Sequence, residues 1–256
     1  MKPNFAQYGF AYQDNLIQAF IGGSQLHGAK LDDTDDTDWY GVFIEPPERM
    51  IGLERDEFFV FTTGGQPGGN GPDDVDICLY SLRKWAGMAA KGNPSALHFL
   101  FAKAQYASPS WERVVQDQHI FAAKHHLKPF LKFADGQMER LWGRKGQRNV
   151  HRAALEEKHG YDTKYAMHVI RLYLEAREYI ETGKITLPSP RVDLLIEIRK
   201  GKYTLPEIEQ MGKKLHSEAL AAQESSALPE EADLLGITQL ITSIYLEFWR
   251  GKRAAD

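Results

Sequence analysis

Leu16-Ile17-Gln18-Ala19-Phe20-Ile21-Gly22-Gly23-Ser24 and, after it, Asp36-Thr37-Asp38-Trp39-Tyr40-Gly41-Val42-Phe43-Ile44 are the two stretches of this 256-residue chain that say most about its fold. The first is a short apolar run that stops at a glycine pair, as a buried strand does before a tight turn. Glycines there let a backbone pass close to a ligand, and a helix start after them would turn N–H groups toward an anion. The second is rich in strand-formers and is stopped by Pro46-Pro47. Asp36 and Asp38 stand at its head, two residues apart, so a strand sends both carboxylates to one face.

Phe58-Phe59-Val60-Phe61-Thr62 and Val75-Asp76-Ile77-Cys78-Leu79-Tyr80 read as further strands, separated by a glycine-rich loop at residues 64–71. That loop lacks the Gly-Lys-Ser/Thr of a P-loop. Ser81 caps a helix expected through Leu82, Trp85 and Met88 to Gly92, and Asn93-Pro94-Ser95 restarts one through Leu97, Leu100 and Phe101. Beyond about residue 106 the periodicity is almost entirely helical. The strong stretches are Tyr161 to Thr182, Leu194 to Arg199, Pro206 to Ala222 and Gly236 to Trp249. The expected class is α/β (α+β), a mixed sheet in residues 1–105 followed by an all-helical part in residues 106–256.

Composition removes several classes. At 43% apolar and 26% charged the chain has ample surface to bury, and no apolar run reaches the roughly 18 residues of a membrane span. Cys78 is the single cysteine, which excludes an internal disulfide and a cysteine-based zinc site, and the first residues show no apolar signal segment. Together these predict a cytoplasmic protein. The net charge of −4 hides an asymmetry: residues 1–105 carry 8 basic against 14 acidic side chains, and residues 124–171 carry 11 against 5. An acidic front suits a cation and a basic middle suits a polyanion.

The acidic residues carry the chemistry. Asp32 to Asp38 is not an EF-hand, because alignment on Gly41 puts Tyr40 and Pro47 where acidic ligands belong. Asp36, Asp38 and a third carboxylate, Asp76 or Asp74, beside a phosphate-binding turn form the set that two-metal phosphoryl or nucleotidyl transfer needs.

The string Gly23-Ser24-Gln25-Leu26-His27-Gly28, then Asp36-Thr37-Asp38-Trp39-Tyr40-Gly41-Val42-Phe43, resembles the polymerase β-type nucleotidyltransferases, and in particular a bacterial and phage branch linked to RNA repair. Tyr80 to Trp85, Lys91 to Pro94, Gly160 to His168 and Arg171-Leu172 are similar to that branch as well. The resemblance implies a polymerase β-like catalytic domain that uses Mg²⁺ (or Mn²⁺) and a nucleoside triphosphate. Asp36, Asp38 and Asp76 would be the catalytic metal ligands, with Asp76 also helping to deprotonate the acceptor. Gly23, Ser24 and Gly28 would hold the triphosphate. Asp35 stands where many relatives have Ser, and the third carboxylate stays open among Asp73, Asp74 and Asp76, with Asp76 preferred because it lies inside a strand.

In the helical part Lys164, His168 and Arg171 fall at i, i+4 and i+7, one face of a helix, and are the candidates there for gripping a triphosphate or an RNA backbone. Arg140, Arg144, Lys145, Arg148 and Arg152 around Trp142 form a basic stretch able to follow a nucleic acid. His125-His126 has no spacing for a zinc ligand set, and Trp85, Phe99, Phe101 and Trp249 read as core. The expected activity is transfer of a nucleoside monophosphate to a hydroxyl of RNA, with no membrane involved. Its rivals are nucleotidylation of a protein and a catalytically silent nucleotide- or RNA-binding module.

Overall fold

The computed structural model describes residues 1–31, 37–63, 74–142 and 153–253. Five strands form one mixed sheet in the order β3-β4-β2-β1-β5: β1 (Leu16–Ile21), β2 (Thr37–Phe43), β3 (Phe58–Thr62), β4 (Val75–Ser81) and β5 (Tyr106–Ala107). β2 and β4 run parallel, and every other pairing is antiparallel. The apolar runs account for the first four. β5 was not expected, since two residues carry no periodicity, and it pairs through Tyr106 with Ala19 and through Ala107 with Gln18 of β1. The sheet therefore extends past residue 105. The glycine-rich stretch 64–71 lies outside the described residues.

Between the strands lie a four-residue helix α1 (Gly23–Leu26) and α2 (Pro47–Ile51), followed by α3 (Leu82–Ala89) and α4 (Pro94–Phe101). Ser81 caps α3 by accepting from the Lys84 N–H, and Asn93 caps α4 by accepting from Ala96 N–H. α3 closes at Ala89, short of Gly92. The helices that follow are α5 (Pro109–Gln116), α6 (Leu127–Leu141), α7 (Ala153–His159), α8 (Thr163–Thr182), α9 (Val192–Arg199), α10 (Leu205–Ser225) and α11 (Leu234–Arg253). α8 is the central helix of this part, packed against α6, α9 and α10. Asp162 starts it by accepting from the N–H groups of Lys164 and Tyr165, and Gly183 ends it in the left-handed conformation.

The sheet is apolar on both faces. Phe5 and Phe10 of the N-terminal segment pack with Leu16, Ala19, Phe43, Ile77 and Leu79 on one face. On the other, Ile17, Phe20 and Val42 join a core that continues without a break through α3, α4, α6 and α8 to Ile244 and Tyr245 of α11. Trp85 and Phe99 are fully buried in it, while Phe101 and Trp249 pack half-buried against it. α11 is tied back to the sheet, where Tyr245 Oη donates to Glu45 Oε2 at 2.6 Å and Trp249 Nε1 donates to the Glu45 carbonyl at 3.1 Å. No helix among the described residues is long and apolar enough to cross a membrane.

Candidate active site

The parallel pairing of β2 and β4 sets the geometry of the site. Asp38 is in register with Asp76, and Asp76 is in register with Thr62 of β3. Adjacent strands stand about 4.8 Å apart and side chains alternate between faces. Asp38, Tyr40 and Val42 therefore share a face with Asp76, Cys78 and Tyr80, and the two carboxylates are lateral neighbours at its head. Both residues are half-buried. Asp74 is placed differently: its carboxylate accepts from Thr63 Oγ1 at 2.8 Å, and its carbonyl accepts from the Thr37 N–H at 2.9 Å, which joins the start of β4 to β2. Asp36 and Asp73 lie outside the described residues.

The glycine turn meets this carboxylate pair directly. Gly22 N–H donates to the Asp38 carbonyl at 2.8 Å. Gly23 has φ +58°, and a Cβ there would stand 1.9 Å from Asp38 Oδ2. A Cβ at Gly22 would meet the Tyr40 ring at 2.4 Å. The two glycines are thus needed so that the turn can lie against β2, at the carboxylate and at the ring beside it. Ser24 follows in α1, where its carbonyl accepts from the Ala29 N–H. Gly28 sits further on, close to Pro188 and Val192 at the entrance to α9.

Next to the turn is a cavity of about 150 Å³ lined by Phe20, Gly22, Gly23, His27, Tyr40 and Phe99, together with His98 of α4 and His168 and Arg171 of α8. The helical part therefore contributes one wall, and two of the three helix residues singled out in the sequence reach it. Ser24, Gly28 and Lys164 are not among the lining residues.

Three buried residues here are not among the sequence candidates: His27 and His98, which line the cavity, and Glu175 next to them. Glu175 is fully enclosed and accepts from Arg171 NH1 at 2.8 Å on each oxygen and from His98 Nε2 at 2.9 Å. His27 Nδ1 is 3.2 Å from Glu175 Oε1, without an aligned hydrogen bond. Burial alone would raise the Glu175 carboxyl, but Arg171 and the two imidazoles hold it well below the usual carboxylate range. Burial, reinforced by the Arg171 charge, lowers His27 to about 3, so its ring is neutral. Glu175 lies four residues after Arg171 and extends the face of Lys164 and His168 by one turn; that spacing was the available signal for it. His98 and His27 carry no such signal, because their partner is 77 or more residues away.

Two places can be weighed for a divalent cation. His27, His98 and Glu175 bring their ligand atoms within 4.8 Å of one another. There, however, the Arg171 guanidinium occupies both carboxylate oxygens, so a metal would have to displace a buried arginine. Asp38 and Asp76 offer hard oxygen donors on one face, the chemistry that Mg²⁺ or Mn²⁺ prefers.

His126 is a core residue: Nε2 donates to the Ala90 carbonyl at 3.0 Å and Nδ1 accepts from Tyr179 Oη at 2.8 Å. Trp142 Nε1 donates to Glu209 Oε1 at 2.6 Å. Of the basic stretch around it, Arg144, Lys145, Arg148 and Arg152 lie outside the described residues.

A solved structure of a nucleotidyltransferase-like protein from Exiguobacterium sibiricum aligns with 93% of this chain and 72% of its own, at 10% identity and a TM-score of 0.31. None of the curated proteins matches. A family model, RlaP, matches residues 2–234, nine-tenths of the chain, and with it the chain belongs to the RNA repair pathway DNA polymerase beta family.

Proposed function

We propose that this protein transfers a nucleoside monophosphate from a nucleoside triphosphate to a hydroxyl of RNA and releases pyrophosphate. The observation that carries the reading is the in-register pair Asp38 and Asp76, with the Gly22-Gly23 turn laid against the first of them. Asp38 and Asp76, joined by Asp36 two residues before Asp38 in the sequence, would hold Mg²⁺ or Mn²⁺. The bound ions would neutralise charge building on the α-phosphate and on the departing pyrophosphate. Asp76 is preferred over Asp74 as the third carboxylate, since it lies within β4 in register with Asp38.

The chain's own residues do the rest. Backbone N–H groups at Gly23 and Ser24 would meet phosphate oxygens, and His168 and Arg171 of α8, which line the same cavity as Gly23, would meet them as well. The acceptor oxygen attacks the α-phosphorus, the bond to the pyrophosphate oxygen breaks, and the hydroxyl proton passes to the Asp76 carboxylate. Residues 1–105 would carry the chemistry and residues 106–256 the grip on triphosphate and acceptor. With Cys78 a free thiol, we assign the reaction to the cytoplasm.

The test supplies each α-labelled NTP with Mg²⁺ to wild type and to Asp36→Ala/Asp38→Ala, alone, with total RNA and with a protein extract. Label on RNA that depends on the carboxylates is the expected result. Label on protein would move the acceptor to a side chain, and nucleotide binding with no transfer to anything would make the protein a binding module.

A further inference from the structure

The Arg171–Glu175–His98–His27 cluster draws on three separate parts of the fold. Arg171 and Glu175 belong to α8, His98 to α4 and His27 to the turn that follows α1. All four residues are buried, with relative exposures of 7%, 4%, 7% and 5%. Arg171 commits one terminal nitrogen to both Glu175 oxygens, yet its Nε is buried with no hydrogen-bond partner among the described residues. The same side chain lines the cavity beside Gly22 and Gly23. A buried guanidinium N–H without a protein acceptor at a cavity wall is a donor held ready for a ligand oxygen. The carboxylate opposite is what keeps that donor from swinging away, and the carboxylate is in turn oriented by His98, whose Nε2 must carry the proton it donates.

We propose that Glu175 is a positioning residue, oriented by His98 and backed by His27, which locks Arg171 at the cavity wall so that its Nε–H meets a phosphate oxygen of the bound nucleotide. The proposal rests on the nucleotidyltransferase reading for the identity of the ligand. It also accounts for the connection between the glycine turn and α8. The cluster spans the seam between them, so the turn and the phosphate-gripping helix are held at one spacing. The neutral His27 ring fits this arrangement, because a second cation against Arg171 would push the guanidinium out of place.

The test measures binding of inorganic tripolyphosphate by calorimetry and follows the Arg171 Nε–H resonance by NMR, assigned by its loss in Arg171→Lys. Glu175→Gln should keep a cooperative thermal transition, weaken tripolyphosphate at least tenfold and abolish the exchange protection of the Arg171 resonance. His98→Gln should do the same to a smaller degree, and the double variant should be no worse than Glu175→Gln alone. Should Glu175→Gln not fold, His98→Gln and His27→Gln carry the same readouts. Folded variants that bind tripolyphosphate as wild type does would overturn the proposal. So would stoichiometric Zn²⁺ or Mn²⁺ binding lost in both Glu175→Gln and His98→Gln, which would make the trio a metal site. A wild type that binds tripolyphosphate but labels no acceptor would remove the transferase reading and leave this inference standing. A wild type with no affinity for tripolyphosphate overturns the inference, whatever label transfer shows.

Discussion

At Gly23 one methyl group would do two kinds of damage. An alanine there must hold φ near +58°, which costs about 1 kcal/mol or more, and its Cβ would enter the space of the Asp38 carboxylate. Gly23→Ala should therefore lower nucleotidyl transfer about 10²-fold, the scale of a misplaced reacting group, while the protein stays folded. Transfer at the wild-type rate would show that the carboxylate position is not critical. Gln18 presents the opposite case. It is wholly buried in β1, and neither its amide nitrogen nor its oxygen has a hydrogen-bond partner among the described residues. Burying an unpaired amide costs about 1–3 kcal/mol, and methionine fills nearly the same volume without polar ends to satisfy. Gln18→Met should raise the urea midpoint by an amount equivalent to about 1–3 kcal/mol with an unchanged m-value; a lower midpoint would mean that the amide is paired in solution.

Among the elements, α8 does the most work. Its start is fixed by Asp162, and its buried face carries both the core and the Arg171–Glu175 pair. Tyr179 on the same helix donates to His126, which in turn donates to Ala90 after α3, so the helix is joined to the sheet side by a neutral imidazole. Burial lowers His126 from 6.5 to about 4, and His27 from 6.5 to about 3. In the unfolded chain both rings take a proton below about 6.5, while the native rings do not. Stability is therefore flat above about pH 6.5 and falls as pH drops toward 4, by about 1.4 kcal/mol per pH unit for each ring. Urea unfolding at several pH values from about 7 to about 5 should show that decline, and His126→Asn should remove about half of it. A slope unchanged by the substitution would mean that His126 is already protonated in the native state.

Over the whole molecule, what could be read in advance followed from local chemistry. β1, β2, β3 and β4 were legible because their strand-formers stop at glycine, proline or a capping serine, and the i, i+4, i+7 spacing put on one helix face His168 and Arg171, both of which line the cavity. The register of β2 on β4 was not legible, although it is what makes Asp38 and Asp76 lateral neighbours, because no local pattern specifies which strands pair. His27 and His98 were silent for the same reason: an imidazole in an apolar helix or a tight turn shows no partner until the chain folds back on itself. Single-turnover label transfer to RNA in Asp38→Asn and Asp76→Asn asks whether the in-register carboxylates perform transfer. Both variants should keep the wild-type circular dichroism and thermal transition and lose transfer by roughly 10³-fold or more, about 4 kcal/mol of transition-state stabilisation. Transfer at the wild-type rate in folded Asp38→Asn would contradict that role.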